Sequence, residues 1–286
     1  MRFTWLDLGL VYCCVVWGST FVLVKDTLAS VAPASMVGWR FALSALCLLP
    51  WVLRRARPAA QLKQGAVLGA ILLVLYWTQT AGLAYTTASN SGFITGLFVL
   101  FVPLGLLAVL RRPPTKAQWL ETALALAGLW VLTGGAEGFN KGDALTLVSA
   151  MAYAAHLLAT DAYVKGSDPV LLAFHQFWVC AAGAFALASF QGAALGVPTP
   201  RAWAAVWFLA LIPNLSAFLI QMKAQKEVPP LKVSLIFTLE PVFAALTAWT
   251  LGGEAFTARQ ALGGTIILAA MALGSLSQAR ESTTRA

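Results

Sequence analysis

The sequence predicts an all-α polytopic membrane protein of ten transmembrane helices, built from two inverted five-helix repeats. Three observations lead to this prediction: an apolar composition, a series of apolar spans of membrane length, and two matching segments about 140 residues apart. Each observation is independent of the others, and together they leave little room for a soluble domain.

The composition and the span lengths set the class of protein. Hydrophobic residues make up 59% of the chain and charged residues 10%, and the mean hydropathy is +0.78. A soluble domain carries about 25% charged residues, whereas runs of about 20 apolar residues are long enough to cross a bilayer as helices. Ten such spans are expected, in order over residues 7–26, 35–53, 64–84, 90–110, 117–134, 143–164, 170–190, 203–223, 231–252 and 260–279.

The fourth and ninth spans reveal the repeat. Each contains a proline, Pro103 or Pro241, and each is followed by a Thr-x-x-Gln helix start, at Thr115 or Thr257. Five spans per copy is an odd number, so the two copies face opposite ways. Inverted repeats are typical of transporters, whose halves rearrange around a shared site near the midplane. We assign residues 1–137 to the first repeat and 138–286 to the second, and treat Pro103 and Pro241 as candidate hinges because proline removes a helical hydrogen bond.

The basic residues predict the orientation. Fourteen of the 19 Lys and Arg residues fall on the termini and on the connections facing the N-terminal side, four fall on the opposite side, and Arg40 lies inside a span. By the positive-inside rule both termini are expected in the cytoplasm of a multi-pass protein of the bacterial inner membrane. Membrane lipid is therefore an expected partner, and the net charge of +8 does not predict nucleic-acid binding.

Neither a metal nor a cofactor is expected. The four cysteines fall within apolar spans, where thiols behave as small apolar groups. Motifs of metalloproteases, serine hydrolases or prenyl-diphosphate enzymes are absent from the sequence. We therefore expect no catalytic residues and no enzymatic activity.

Aromatic and polar residues in the middle of spans are the candidate substrate-binding residues. Trp17 and Tyr153 occupy equivalent positions in the two copies, and polar groups in hydrocarbon must face other helices or water. Plain helix packing is the alternative interpretation. The candidates are Trp17, Tyr76, Gln79, Tyr153, His156, Asn214, Phe218, Gln221, Thr238 and Glu240.

Three ionisable side chains within spans have open roles. Glu240 precedes Pro241, and its counterpart in the first copy is the apolar Val102, so the copies differ here. Arg40 either snorkels towards the surface, pairs with a carbonyl, or attracts a substrate carboxylate. His175 is expected to be a hydrogen-bonded core histidine or a proton carrier. The sequence leaves open whether transport is coupled to protons.

Several segments resemble the EamA domain of the ten-helix branch of the drug/metabolite transporter superfamily. The resemblance covers essentially the whole chain and implies export of small metabolites through a central cavity that opens alternately as the repeats rock. The first copy departs from the pattern, with Arg111-Arg112-Pro113-Pro114 where the second has Gly253-Glu254. The matching segments are Trp17-Gly18-Ser19-Thr20-Phe21, Arg40-Phe41, Leu239-Glu240-Pro241, Gly253-Glu254 and Thr257 to Gln260.

The expected function is export of small metabolites, first of all amino acids, including aromatic ones. The expected substrate is a small amphiphile that carries both a ring and charged groups. The alternatives are export of drugs or of nucleotide sugars, an intramembrane enzyme, and a channel.

Overall fold

The computed structural model describes residues 4–110, 116–133, 135 and 138–284, and all regular secondary structure in these ranges is helical. Thr115 and the Arg111–Pro114 segment lie outside the described residues. The helices are α1 (Trp5–Thr27), α2 (Pro33–Leu53), α3 (Leu62–Leu83), α4 (Ala88–Gly96), α5 (Phe98–Leu110), α6 (Lys116–Thr133), α7 (Lys141–Val164), α8 (Pro169–Phe190), α9 (Pro200–Leu209), a π segment (Ala210–Ser216), α10 (Ala217–Gln225), α11 (Pro230–Phe237), α12 (Glu240–Thr250) and α13 (Ala258–Thr284).

Each of the ten predicted spans coincides with one helix or with consecutive helices. By length and composition, six helical segments among the described residues can each cross a membrane: α1, α2, α3, α7, α8 and the continuous stretch from α9 to α10. The other four spans coincide with α4–α5, α6, α11–α12 and α13. Large apolar side chains point outward, among them Phe190 at 90% exposure. A surface of this kind suits lipid, so the protein is a polytopic membrane protein.

When a helix of one half packs against a helix of the other, their counterparts in the opposite halves pack in the same way. α1 packs against α10 as α3 packs against α7, and α1 packs against α12 as α7 packs against α4 and α5. Three spans contact their own counterparts: α2 contacts α8, the α4–α5 span contacts the α11–α12 span, and α6 contacts α13. The pattern is that of two similar halves related by an approximate twofold axis.

The first helix of each half begins with the same type of cap. Thr4 and Asp7 form a capping box at the start of α1, and Asn140 and Asp143 form one at the start of α7. Capping boxes satisfy backbone N–H groups that the first helical turn leaves without partners. Each aspartate also contacts the other half: Asp7 pairs with Lys232 at 2.7 Å, and Asp143 accepts a hydrogen bond from Thr86 at 2.5 Å.

Three of the spans are interrupted within their length. α4 ends at Gly96 and α5 begins at Phe98, so the first break is at Leu97 and Pro103 lies within α5. The second break, at Thr238–Leu239, comes directly before Glu240 and Pro241, which open α12. These two broken spans pack closely, since a side chain on Gly92 would meet Ala244.

The third interruption is the π segment, which contains Pro213. A π turn and a proline both leave backbone carbonyls without their usual helical partners. Two carbonyls of the π segment accept hydrogen bonds from the first half: Ser44 Oγ donates to the Ala210 carbonyl at 2.8 Å, and Trp17 Nε1 donates to the Pro213 carbonyl at 2.8 Å. The interrupted helix is thus held by α1 and α2.

Candidate functional site

A cavity lies between the two halves, and we call it the central cavity. It is narrow, with a cavity volume of about 30 Å³. α1, α2 and α3 contribute walls from the first half, and α7, α10 and α12 contribute walls from the second. Its lining residues are Trp17, Thr20, Phe21, Val24, Arg40, Leu75, Tyr76, Gln79, Leu83, Tyr153, His156, Phe218 and Glu240.

Five of the thirteen described residues that line the cavity are Trp, Tyr or Phe, and four of these five belong to one cluster of rings. Trp17 lies at the centre of this cluster, with ring centroids 5.4 Å from Phe218 and 6.2 Å from Tyr153. Tyr76 lies 6.1 Å from Phe218 on one side, and Phe98 stacks on Tyr153 at 4.2 Å on the other. Offset and edge-to-face contacts of this kind hold rings rigidly. The rings therefore make part of the cavity wall apolar.

One basic and one acidic side chain, Arg40 and Glu240, line the same cavity. Arg40 is 3% exposed; its Nε and Nη2 atoms donate to Asn214 Oδ1 at 3.1 and 2.7 Å, and its guanidinium lies 4.8 Å from the Tyr76 ring centre. Glu240 is also 3% exposed, and its carboxyl accepts a hydrogen bond from the Tyr153 hydroxyl at 3.2 Å. The ion pairs found among the described residues involve neither side chain. Both therefore remain available to charged groups of a ligand.

The two histidines have different environments. His156 lines the cavity and shares a hydrogen bond of 2.9 Å with Gln176. His175 lies elsewhere: its Nδ1 accepts from Trp178 Nε1 at 3.2 Å, and its Nε2 is 2.9 Å from the Pro58 carbonyl. An indole N–H can only donate and a carbonyl can only accept, so one neutral tautomer of His175 satisfies both partners. His175 is thus a structural residue here.

Hydrogen bonds and ion pairs join the halves on the two faces of the molecule. On the face that carries the N-terminus, Asp7 and Lys232 link α1 to α11. On the opposite face the Glu254 carboxylate accepts from the backbone N–H groups of Ala88 and Ser89, which open α4. Gly253, with a φ of 64°, makes the turn that brings Glu254 to this helix end. The cavity therefore lies between two sets of links that cross from one half to the other.

Comparison with known proteins gives the family. The profile of the EamA-like transporter family matches this chain twice, over residues 4–134 and 140–276. The chain belongs to the EamA-like transporter family. One match falls in each half of the molecule, so the EamA domain is duplicated, as the sequence predicted.

Relatives of this chain are also named as transporters. An uncharacterized transporter of Archaeoglobus fulgidus is 31% identical over 270 residues, which cover 94% of this chain and 85% of the relative. The uncharacterized inner membrane transporter YedA of Escherichia coli K12 is 26% identical and covers 92% of this chain and 88% of its own length. A solved crystal structure matches with a TM-score of 0.66 at 18% identity, over 95% of this chain and 98% of the other, which shows a shared fold.

The structure brings seven of the ten candidate residues together. Trp17, Tyr76, Gln79, Tyr153, His156, Phe218 and Glu240 all line the central cavity. The other three are not among its lining residues: Asn214 lies behind Arg40, Gln221 donates to Gln225, and Thr238 lies at the break before α12. Whether any of these residues binds substrate stays a prediction.

The sequence left the role of Arg40 open, and Pro213 was not among the predicted hinges. Arg40 does not snorkel, because Asn214 and Tyr76 enclose it within the protein. Pro213 marks the π segment and its presence inside an apolar span was visible in the sequence. The partner contacts of both come from distant parts of the chain, which local sequence patterns do not report.

Proposed function

We propose that this EamA transporter exports small amphiphilic metabolites, first of all amino acids, including aromatic ones. The observation that carries the proposal is the lining of the central cavity, where aromatic rings stand beside one buried guanidinium and one buried carboxyl group. Ligand sites are mostly apolar with a few placed polar groups. An aromatic amino acid presents the same combination of a ring, a cation and an anion.

Alternating access around this cavity is the proposed mechanism. The two halves contact each other through equivalent pairs of helices, and three of the spans are interrupted, at Leu97, at the π segment and at Thr238–Leu239. Transporters with inverted repeats use interrupted helices at their binding sites and rock one half against the other. In this proposal the Asp7–Lys232 link opens when the cavity faces the N-terminal side.

The proposed location is the bacterial inner membrane with both termini in the cytoplasm. The distribution of Lys and Arg supports this orientation, and the inner membrane relative YedA supports the location. Labelling of single cysteines introduced at the N-terminus and in the turn after α8 would test it. Reagents that do not cross the membrane should reach the second site alone in intact cells.

Reconstitution into liposomes tests the proposed activity. Purified protein is expected to catalyse saturable exchange of labelled phenylalanine, and Tyr76→Leu should reduce the rate because Tyr76 lines the cavity. Tyr85→Leu is the matched control, since Tyr85 is 55% exposed and lies outside the cavity. Absence of phenylalanine flux with active, correctly inserted protein would refute amino-acid transport.

The same vesicles resolve proton coupling. If an imposed pH gradient drives phenylalanine accumulation, protons are a transport partner, and the cavity residues Glu240 and His156 are the groups to mutate next. Exchange that is indifferent to the gradient indicates facilitated export. His175 is not expected to matter in either case, because both of its ring nitrogens have structural partners.

Export of cationic drugs is the second candidate. Glu240 favours it, because its buried carboxyl group accepts a hydrogen bond from a tyrosine hydroxyl and forms no ion pair with a described residue. Arg40 in the same cavity disfavours it, since a cationic ligand would meet a guanidinium. Competition of phenylalanine exchange by aromatic amines separates the two candidates.

A further inference from the structure

Arg40 occupies an unusual electrostatic position. It lies in α2 with 3% of its surface exposed, and its guanidinium lines the central cavity. Within the described part of the chain, no Asp or Glu lies within ion-pair distance of it. Its polar partner is a neutral amide oxygen, Asn214 Oδ1, and the face of Tyr76 lies 4.8 Å away. A buried charge with only neutral partners is costly in a membrane protein and points to a functional role.

Counting hydrogen-bond donors shows what the cluster lacks. A guanidinium carries five N–H groups, and the bonds from Nε and Nη2 both converge on the single Oδ1 atom of Asn214. The orientation of that amide is fixed, because arginine has no acceptor that could face the amide nitrogen. Asn214 Nδ2 is itself buried and has no acceptor among the described residues. The cluster therefore has unused donors, a full positive charge and a shortage of acceptors.

The position of the cluster connects it to both halves of the protein. Arg40 belongs to the first half, and Asn214 belongs to the π segment of the second. The π segment is also held by Ser44 and Trp17, and Trp17 lies in the aromatic wall. A ligand group bound at Arg40 would thus lie beside the rings and at the boundary between the halves.

We propose that Arg40, held in position by Asn214, is the subsite that binds the carboxylate of the transported substrate. A carboxylate supplies the missing negative charge and two acceptor oxygens, and its planar geometry matches a guanidinium. Arg40 is the only Lys or Arg among the described residues that line the cavity, so a single negative charge fits and a diphosphate does not. The inference rests on the proposed transport function and narrows it to small monocarboxylates, with or without an ammonium group.

Competition with phenylalanine analogues tests the subsite in the wild-type protein. 3-Phenylpropionate keeps the carboxylate and lacks the ammonium group, whereas phenylalaninamide keeps the ammonium group and lacks the carboxylate. Phenylpropionate is expected to compete with labelled phenylalanine, and the amide should need a concentration about 10- to 100-fold higher, in line with the strength of charge-assisted hydrogen bonds. Equal competition by the two compounds would overturn the proposal.

Asn214→Asp is the decisive variant. The new side chain has the same size, and its carboxylate would give Arg40 an internal ion-pair partner in place of the amide. If Arg40 is purely structural, the variant should keep both its thermal stability and its transport. If Arg40 binds the substrate carboxylate, the internal carboxylate competes with it, so stability is retained while the apparent affinity for phenylalanine falls at least about tenfold.

Arg40→Gln provides a second readout in the form of a specificity ratio. The variant should lose the preference for phenylpropionate over phenylalaninamide, a change that a general loss of folded protein cannot produce. Retention of the wild-type ratio in both Arg40→Gln and Asn214→Asp would overturn the proposal.

Direct binding separates failure of the subsite from failure of the proposed function. If the wild-type protein does not exchange phenylalanine, the transport proposal is wrong as stated, but the thermal stability of the purified protein can still be measured with a panel of monocarboxylates and their amides. Stabilisation by carboxylates that disappears in Asn214→Asp would support the subsite. Equal behaviour of carboxylates and amides would overturn it.

Discussion

Gly18→Ala tests how tightly α1 and α12 must pack around the cavity. A Cβ atom on Gly18 would lie 2.6 Å from the Glu240 carbonyl oxygen, 2.8 Å from Phe243 Cβ and 2.9 Å from the Ala244 nitrogen. Two of these atoms belong to the backbone of α12, so no side-chain rotation can relieve the contact. Since ordinary contacts begin near 3.4 Å, the helices would have to separate by about 0.8 Å (3.4 − 2.6) at this point.

The expected cost follows from overpacking of a close interface. Inserting a methyl group into a well-packed site costs about 1–3 kcal/mol, which corresponds to a decrease in melting temperature of about 2–12 °C for a chain of this size. Flux should fall as well, because the neighbours of Gly18, Trp17 on α1 and Glu240 on α12, both line the cavity. Thermal unfolding of purified protein and phenylalanine exchange in liposomes measure the two effects.

Gly166→Ala is the matched control. Gly166 has open space around its Cα atom, so the same substitution should leave both stability and flux unchanged. A Gly18→Ala variant that matches this control in melting temperature and in exchange rate would refute the close packing of α1 against α12.

Three further predictions concern single contacts. Asp7→Asn should lower thermal stability because it leaves Lys232 without its carboxylate partner. Asp7→Lys should also lower it, and adding Lys232→Asp to that variant should restore part of the lost stability in a double-mutant cycle. Trp17→Phe removes the N–H donated to the Pro213 carbonyl and should cost about 1–3 kcal/mol, measured by thermal unfolding; an unchanged melting temperature would show that this bond contributes nothing. Glu240→Gln should weaken competition by phenylalaninamide while leaving that by 3-phenylpropionate unchanged, and equal effects on the two would contradict a role in binding the ammonium group.

The sequence predicts the helical spans well because the bilayer thickness sets their length. An apolar run must be long enough to cross the hydrocarbon, and this requirement is visible residue by residue. The Thr257 helix start is similarly local: Gln260 N–H donates to Thr257 Oγ1 at the beginning of α13, as the Thr-x-x-Gln pattern predicted. Features that depend only on neighbouring residues can therefore be predicted from the sequence.

The positions of the helix breaks were less predictable. Pro241 stands at the beginning of α12, where proline is well tolerated, and the break precedes it. Pro103 lies inside α5, with the break at Leu97. A proline inside a helix removes one backbone hydrogen bond and a proline in the first turn removes none, so the presence of a proline alone does not say where the helix ends.

Three of the candidate residues, Asn214, Phe218 and Gln221, show a different limit, because their spacing alone would place them on one face of a helix. Spacings of four and three residues place side chains on one face only if the helix is a regular α-helix. Asn214 lies in the π segment, whose wider turns rotate it relative to Phe218. Phe218 lines the cavity and Asn214 contacts Arg40. Gln221 lies in the regular helix α10 with Phe218 but donates to Gln225, a contact that the spacing does not predict.

The location of a bound substrate tests the central claim most directly. The structure of the protein soaked with 4-iodophenylalanine, with the iodine located by its anomalous scattering, would show where the ligand lies. The account predicts an iodine site among Trp17, Tyr76 and Phe218, with the ligand carboxylate at Arg40. An iodine site outside the central cavity, in protein that exchanges the compound in liposomes, would contradict it.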